Sequence, residues 1–154
     1  MSGEAKKEKV IIYTDGGSRG NPGPAAVGAV IKDAKGYTLK SYGQTIGRRT
    51  NNEAEYEAVL FALKKVKQLY GKARVRNLTL EFRLDSELVA RQLSGTYKVE
   101  EERLFPLFMK IHNFQVEFGP LRFAHVPRAR NKEADALVNE ALDADAGRSM
   151  SLFE

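Results

Sequence analysis

Four carboxylates lie where predicted strands end or predicted helices begin, namely Asp15, Glu55, Asp85 and Asp135. Asp15 follows the apolar run 10–14, and Asp85 directly follows Leu84. Because like charges repel, a fold that gathers four carboxylates needs cations between them. A hard divalent cation, which prefers oxygen ligands, suits such a site. The set therefore predicts metal-assisted phosphoryl chemistry.

Each acid also has a purely structural explanation. Asp15 precedes Gly16 and suits a turn, and Asp85 precedes a predicted helix that it could cap. Asp135 would gain ~0.3–1 kcal/mol from the dipole of its helix, for which Asn131 is the predicted cap. The set is more informative than its members. If the strands before Asp15 and Asp85 are parallel neighbours, both carboxylates lie at the sheet edge where open α/β folds bind ligands.

The helix that begins near residue 51 offers two glutamates, Glu53 and Glu55. Helical phase does not separate them, because both flank the apolar stripe. The segment Thr50-Asn51-Asn52-Glu53 matches a capping box, in which Thr50 caps the helix and Glu53 bonds back to it. Glu53 thus has a structural role, and Glu55 is the candidate for the metal site.

The apolar pattern predicts five strands and four helices. The strands are 9–14, 26–32, 37–45, 78–84 and 121–126, and the helices are 51–70, 86–93, 103–113 and 131–143. This order predicts an α/β fold with a five-stranded mixed sheet, a three-strand meander plus two parallel strands, flanked by helices on both faces. The glycine- and proline-rich stretch 16–24 predicts an irregular loop. Residues 1–8 predict a disordered N-terminus and 144–154 a flexible C-terminal tail.

The composition is that of one globular domain. The chain has 154 residues, 42% of them hydrophobic, and no cysteine, which excludes disulfides and a thiol nucleophile. A net charge of +5 suits a polyanionic partner, although a charge excess that aids solubility explains it equally well. No apolar run reaches the length of a membrane span, and residues 1–9 lack the apolar core of a signal peptide. We expect a cytoplasmic monomer without membrane contact.

Four segments together resemble the motifs of type 1 ribonuclease H: 14–24, 50–55, 84–86 and 131–135. The similarity extends over about residues 10–141 in the family's order and spacing. It implies a single ribonuclease H domain, 9–143, that hydrolyses the RNA strand of RNA–DNA hybrids and leaves 5′-phosphate and 3′-hydroxyl ends. It also implies two Mg²⁺ ions, replaceable by Mn²⁺, held by Asp15, Glu55, Asp85 and Asp135.

The resemblance further implies a set of substrate-binding residues, namely Gly16, Asn21, Thr50, Asn51, Asn52, Ser86 and Arg128. Thr50, Asn52 and Ser86 resemble parts of a pocket for a DNA phosphate. Contacts to the backbone position a duplex without reading its bases, so we expect little sequence specificity. The 2′-hydroxyls in the wide minor groove would distinguish RNA from DNA. Whether duplex RNA is also cut stays open. Without the resemblance, turn and cap roles would be the preferred explanation of Asn21, Thr50 and Ser86.

The chain departs from the family pattern in the loop before the last helix. Many members carry a histidine there, whereas residues 126–130 contain none. Arg128 or Arg130 could act on the departing phosphate electrostatically, but arginine does not accept a proton at neutral pH. His125, at the end of the last strand, is an auxiliary candidate for which a packing role is an equal alternative.

A second departure concerns the basic protrusion with which some members grip their substrate. Residues 92–108 contain two basic and three acidic side chains, a net charge of −1, and no tryptophan. The sequence therefore indicates a subtype without this protrusion and predicts weak, salt-sensitive binding through scattered cations. Glu87 also stands where glutamine is common in the family, a difference whose effect the sequence does not decide.

Two other functions compete with this interpretation. One is a catalytically weak nucleic-acid-binding module, and the other is a different nuclease of the same superfold, such as a DNA resolvase or a proofreading exonuclease. The presence of all four acids argues against the first. The asparagine-bearing glycine loop and the segment 50–52 favour the hybrid-cleaving branch over the second.

Overall fold

The computed structural model describes residues 7–151, which contain one five-stranded sheet in the order β3-β2-β1-β4-β5. The strands are β1 (Glu8–Ser18), β2 (Gly23–Asp33), β3 (Thr38–Arg49), β4 (Leu78–Leu84) and β5 (Leu121–His125). The first three pair antiparallel, while β4 runs parallel to both β1 and β5. The predicted mixed sheet of a meander plus two parallel strands is confirmed.

The helices are α1 (Asn51–Tyr70), α2 (Glu87–Leu93), α3 (Phe105–Glu117) and α4 (Lys132–Ser151). Short 3₁₀ turns cover Arg74–Asn77, Glu102–Leu104 and Arg128–Arg130. The predicted capping box opens α1: the Thr50 side chain accepts from the Glu53 N–H, and the Glu53 side chain accepts from the Thr50 N–H. Gly71, at φ 88°, follows the end of this helix. No helix among the described residues is long and apolar enough to cross a membrane.

Helices cover the sheet from both sides. On one face, Ile12 of β1 and Phe82 of β4 belong to the main core together with Val59 and Leu63 of α1. On the other face α4 lies directly on the backbone of β2, because a Cβ atom on Gly28 would come within 2.4 Å of the Ala134 carbonyl oxygen. Helices α1 and α4 thus pack against opposite faces of the sheet near the end of β1, where the candidate site lies.

The predicted irregular loop at 16–24 is wrong over most of its length. β1 continues through Ser18, with Gly16 opposite Val27 and Gly17 opposite Ala26, and β2 begins at Gly23. Gly16 is explained by close packing, whereas Gly20, at φ 122°, lies in the short turn between β1 and β2. A Cβ atom on Gly16 would lie 2.0 Å from the Ala54 carbonyl oxygen of α1, so only glycine lets this helix approach the strand.

Several other boundaries differ from the prediction, and β3 extends to Arg49 rather than to residue 45. Helix α4 extends to Ser151, beyond the predicted end at Asp143, since no proline interrupts residues 144–151. Helix α3 spans Phe105–Glu117 rather than 103–113. Glu8, predicted to be disordered, begins β1. The rest of the predicted disordered N-terminus, up to residue 6, lies outside the described residues, as do residues 152–154.

Candidate active site

Three carboxylates converge at the C-terminal edge of the two central parallel strands. Tyr13 of β1 is aligned with Arg83 of β4, so Asp15 and Asp85, each two residues further on, reach the same edge. Glu55 comes from the second turn of α1. One carboxylate oxygen from each of Asp15, Glu55 and Asp85 lies within 4.8 Å of the others. These three residues, which we call the acidic triad, form a set of oxygen donors with spacing suited to a metal ion.

Asp135 lies beside the acidic triad. It is in the first turn of α4 and lines the same cleft as the triad, and its side chain lies close enough to Asp15 to raise the pKa of that residue. The Asn139 amide donates to Asp135 Oδ2 at 3.4 Å and to its carbonyl oxygen at 3.2 Å. All four predicted acids therefore meet in one cleft, with Asp135 outside the closest group of three.

Asn131 fixes the start of α4 relative to the site. Sequence reasoning treated it as a helix cap, but its side-chain amide donates instead to the Thr14 carbonyl oxygen at 2.9 Å. The Asn131 side chain is buried, and the backbone carbonyl oxygen of Asn131 accepts from the Asp135 N–H at 3.1 Å. One residue thus connects the residue before Asp15 to Asp135, a positioning role that the sequence did not reveal.

The electrostatics of the triad are unfavourable without an added cation. Burial, the charge of Asp85 and the contact with Asp135 raise the pKa of Asp15 to about 8. Burial followed by the charges of Asp15 and Asp85 raises the pKa of Glu55 well above its ordinary value, and Arg128 only partly opposes this. The metal-free site therefore retains protons that a divalent cation would displace.

Arg128 is the one described basic side chain within ion-pair distance of a triad member, with Nε 4.0 Å from Asp85 Oδ2. Its side chain is 89% exposed, whereas that of Asp85 is 10% exposed. Such a long and solvated pair contributes little. Arg128 lies at the rim of the cleft, where it can reach a bound phosphate.

The two auxiliary candidates lie elsewhere. Arg130 lines a small separate pocket with Lys32 and Glu133, and His125 has its Nδ1 atom 3.9 Å from Glu87 Oε2. Neither is among the described residues that line the cleft. The predicted auxiliary roles of both residues gain no support from their positions.

The predicted substrate-binding residues fall into two groups. Gly16, Asn51 and Arg128 line the cleft. Asn21 and Asn51 also brace the turn after β1, since Asn21 Oδ1 accepts from the Asn51 N–H at 2.9 Å and Asn51 Oδ1 accepts from the Ser18 N–H at 3.0 Å. These bonds fix the turn against the start of α1.

The second group has visible structural partners. The hydroxyl oxygens of Thr50 and Ser86 cap α1 and α2, each accepting a backbone N–H at 3.2 Å. The Asn52 amide donates to Glu101 Oε1 at 2.9 Å. The cap alternatives given for Thr50 and Ser86 are therefore present, and their contact with substrate stays a prediction.

Sequence reasoning missed Arg19 as a cleft residue. Its guanidinium is 2.6 Å from Asp143 on α4, which keeps a second cation at the rim. The only sequence signal was a single arginine in the segment after the first strand, and that is too common to identify a site.

Comparisons with known proteins show which family the chain resembles. A family model described as reverse transcriptase-like matches residues 13–141. The chain is 43% identical over 135 residues to ribonuclease HI of Halobacterium salinarum, which covers 88% of this chain and 65% of that protein. It is also similar to the structure of LC11-RNase H1, isolated from compost, with 49% identity, a TM-score of 0.84, and coverage of 90% of this chain and 98% of that chain.

This chain belongs to the ribonuclease H family. LC11-RNase H1 has also been solved in complex with an RNA/DNA hybrid, and that structure is 48% identical, with a TM-score of 0.85 and coverage of 89% of this chain and 99% of that chain. The chain spans only 65% of the length of the Halobacterium relative, and 36% of that of the bifunctional protein Rv2228c of Mycobacterium tuberculosis, to which it is 43% identical.

Proposed function

We propose that this protein is a metal-dependent endoribonuclease that hydrolyses the RNA strand of RNA–DNA hybrids and leaves 5′-phosphate and 3′-hydroxyl ends. The observation that carries the proposal is the acidic triad, whose oxygens lie within 4.8 Å of one another and have one distant arginine as counter-charge among the described residues. The hybrid complex of LC11-RNase H1 supports the substrate class.

The residues present fit divalent metal ions. The donors are carboxylate oxygens, which Mg²⁺ and Mn²⁺ prefer as ligands. A bound cation would also offset the mutual repulsion of these carboxylates. Asp15, Glu55, Asp85 and Asp135 would hold the ions. When bound, such ions supply Lewis-acid activation of water and stabilise charge on the scissile phosphate and the leaving oxygen.

The remaining cleft residues bind and orient the substrate. Gly16 lines the cleft beside Asp15, and its missing side chain lets α1, which carries Glu55, pack close to β1. Arg19 and Arg128 place positive charge at the rim, where it attracts the sugar–phosphate backbone. Such contacts carry no base identity, and we therefore propose little sequence specificity.

Cleavage of end-labelled RNA–DNA hybrid, duplex DNA and duplex RNA tests the proposal, each with Mg²⁺, Mn²⁺ or EDTA. We expect the hybrid to be cut only when metal is present, and duplex DNA to stay intact. The result with duplex RNA shows whether the protein has a second substrate. The ends are identified by their susceptibility to phosphatase and to ligation.

Paired variants on one helix sharpen the assay. Glu55→Gln removes a triad carboxylate, whereas Glu53→Gln retains the oxygen that accepts the Thr50 N–H. We expect the first variant to be inactive and the second to resemble the wild type. Cutting that persists in EDTA, or equal loss in both variants, would refute the metal mechanism. Equal cleavage of duplex DNA would refute the hybrid assignment.

A further inference from the structure

Near the proposed site, an acidic side chain accepts a hydrogen bond from an asparagine amide. Asn52, the second residue of α1, follows Asn51, which lines the cleft. Its side-chain amide donates to Glu101 Oε1 at 2.9 Å. Glu101 belongs to the segment 94–101 between α2 and the 3₁₀ turn that precedes α3, which we call the strap. The amide of a residue next to the cleft is thus engaged by a carboxylate.

The strap is held in place by buried contacts. The Tyr56 hydroxyl donates to Gln92 Oε1 at 2.6 Å, and Gln92 Nε2 donates to the Lys98 carbonyl oxygen at 3.3 Å. Tyr56 and Gln92 are both buried. The N–H groups of Thr96 and Tyr97 also donate to the Arg91 carbonyl oxygen. These bonds tie the strap to α1 and α2, so the fold itself brings Glu101 to Asn52.

The charge of Glu101 is not balanced locally. No lysine or arginine within the described range 7–151 lies within ion-pair distance of it, and its hydrogen-bond partner is the neutral Asn52 amide. Other glutamates on the surface, by contrast, pair with a lysine or an arginine. Glu100 and Glu102 flank it in the sequence, and all three are exposed. The strap therefore presents negative charge on the side of the cleft formed by the start of α1.

We propose that Glu101 sets the affinity of the cleft for nucleic acid, by holding the Asn52 amide in the free protein and yielding it when a duplex binds. Asparagine amides are common donors to phosphate and sugar oxygens. A carboxylate on the same amide competes for the donor and repels the incoming backbone, so it weakens binding. This inference rests on the proposed function, because it assumes that the duplex lies along the cleft.

The matched variants are Glu101→Gln and Glu100→Gln, which remove the same charge one residue apart. Glutamine keeps an oxygen that can accept from Asn52, so the strap stays in place, but the uncharged acceptor holds the amide less strongly and no longer repels the duplex. Affinity for a fluorescent RNA–DNA hybrid is measured by anisotropy in the Asp15→Asn background, so that no cleavage intervenes. We expect Glu101→Gln to bind about 3- to 10-fold more tightly at low salt, and Glu100→Gln less than twofold. High salt should shrink the difference.

Kinetics of the same substitutions with Asp15 intact complete the test. Glu101→Gln should lower KM and leave kcat unchanged. Equal affinities of the wild type, Glu101→Gln and Glu100→Gln would overturn the inference, as would a gain that is the same for both variants. If Glu101 only supports the strap, Glu101→Gln should behave as wild type, while Glu101→Ala loses kcat and thermal stability.

Failure of the proposed function gives a different result. A wild-type protein that does not cut hybrid with any divalent metal refutes the nuclease, whatever the anisotropy shows. A wild-type protein that cuts hybrid, combined with unchanged affinity in Glu101→Gln, refutes the role of Glu101 alone.

Discussion

The parallel strands β1 and β4 carry two clusters of charged residues, which differ in how their charge is balanced. At their C-terminal edge, β1 and β4 bring Asp15 and Asp85 together with Glu55. Earlier along the strands, Glu81 lies 3.5 Å from Lys9 Nζ and 2.7 Å from Arg83 Nη2, and Arg83 also donates to the Tyr13 hydroxyl at 2.7 Å. We call this second group the ion-paired patch.

The two clusters differ in how they shift their carboxyl groups. In the patch, burial opposes ionisation of Glu81, but the hydrogen bond and charge of Arg83 together with Lys9 outweigh it and lower the pKa. In the triad, burial and neighbouring acids raise the pKa values of Asp15 and Glu55. The patch balances its charge within the protein and stabilises the fold. The triad has no comparable balance of charge within the protein, so its carboxylates favour an external cation, as is typical of a functional site.

The largest expected difference between the clusters is in catalysis. Asp15→Asn should lower kcat for hybrid cleavage by a factor on the order of 10³ or more, since it removes a donor to the metal. Glu81→Gln, which removes a carboxylate from the neighbouring cluster, should leave kcat within about twofold. Single-turnover cleavage of both variants measures this. Similar losses in the two would show that the clusters do not differ in function.

The link between β1 and α4 should matter for both stability and activity. Asn131→Ala leaves the buried Thr14 carbonyl oxygen without its donor, which we expect to cost about 1–3 kcal/mol of unfolding free energy. It should also lower kcat about tenfold, because Asp135 loses its anchor. Urea unfolding and steady-state kinetics report the two effects. Asn139→Ala, which removes only an exposed contact to Asp135, is the milder control, and an equally severe effect there would contradict the anchoring role of Asn131.

The raised pKa of Asp15 predicts how stability depends on pH. Between its ordinary value of 3.8 and about 8, folded Asp15 keeps a proton that the unfolded chain has released. The metal-free protein should therefore lose stability as pH rises through that range, by several degrees in Tm. Mg²⁺ should restore Tm at the upper end, and Asp15→Asn should flatten the profile and remove the response to Mg²⁺. A metal-free Tm that rises from pH 5 to 8 would contradict this sign.

The smallest effect is expected from the ion-paired patch. Arg83→Met leaves Glu81 with only Lys9 as a partner on a partly exposed surface, which should cost about 1 kcal/mol. Hybrid cleavage should be unchanged, because the patch lies outside the cleft. Chemical unfolding together with a cleavage assay tests both halves. A loss of kcat without a loss of stability would mean that the patch serves the reaction.

Most of the sheet and the acids followed from local sequence signals. Alternating apolar residues in 78–84 mark β4, and the capping box at Thr50 marks the start of α1, since both patterns depend on neighbours in sequence. The capping argument also separated Glu55 from Glu53, and the structure places Glu55 in the triad. The proximity of Asp15 to Asp85 followed once β1 and β4 were taken as parallel neighbours.

The remaining features depend on contacts between distant segments. Gly16 suggested a loop, whereas it lies in a strand. Glycine is needed there because Ala54 packs against it. Asn131 suggested a cap, and its amide instead reaches Thr14 across the sheet. The contact between Asn52 and Glu101 spans 49 positions, a separation at which no periodicity or turn signal exists.

Paramagnetic broadening by Mn²⁺ tests the central claim, that the triad and not its neighbour receives the cation, most directly. Backbone amide NMR signals are followed during substoichiometric additions, which detect even weak binding. We predict that Gly16, Glu55 and Ser86 broaden most, that the loss of signal falls steeply along β4 from Arg83 to Glu81, and that Asp15→Asn abolishes the effect. Broadening that is uniform, that centres on Glu81, or that persists in Asp15→Asn would contradict the account.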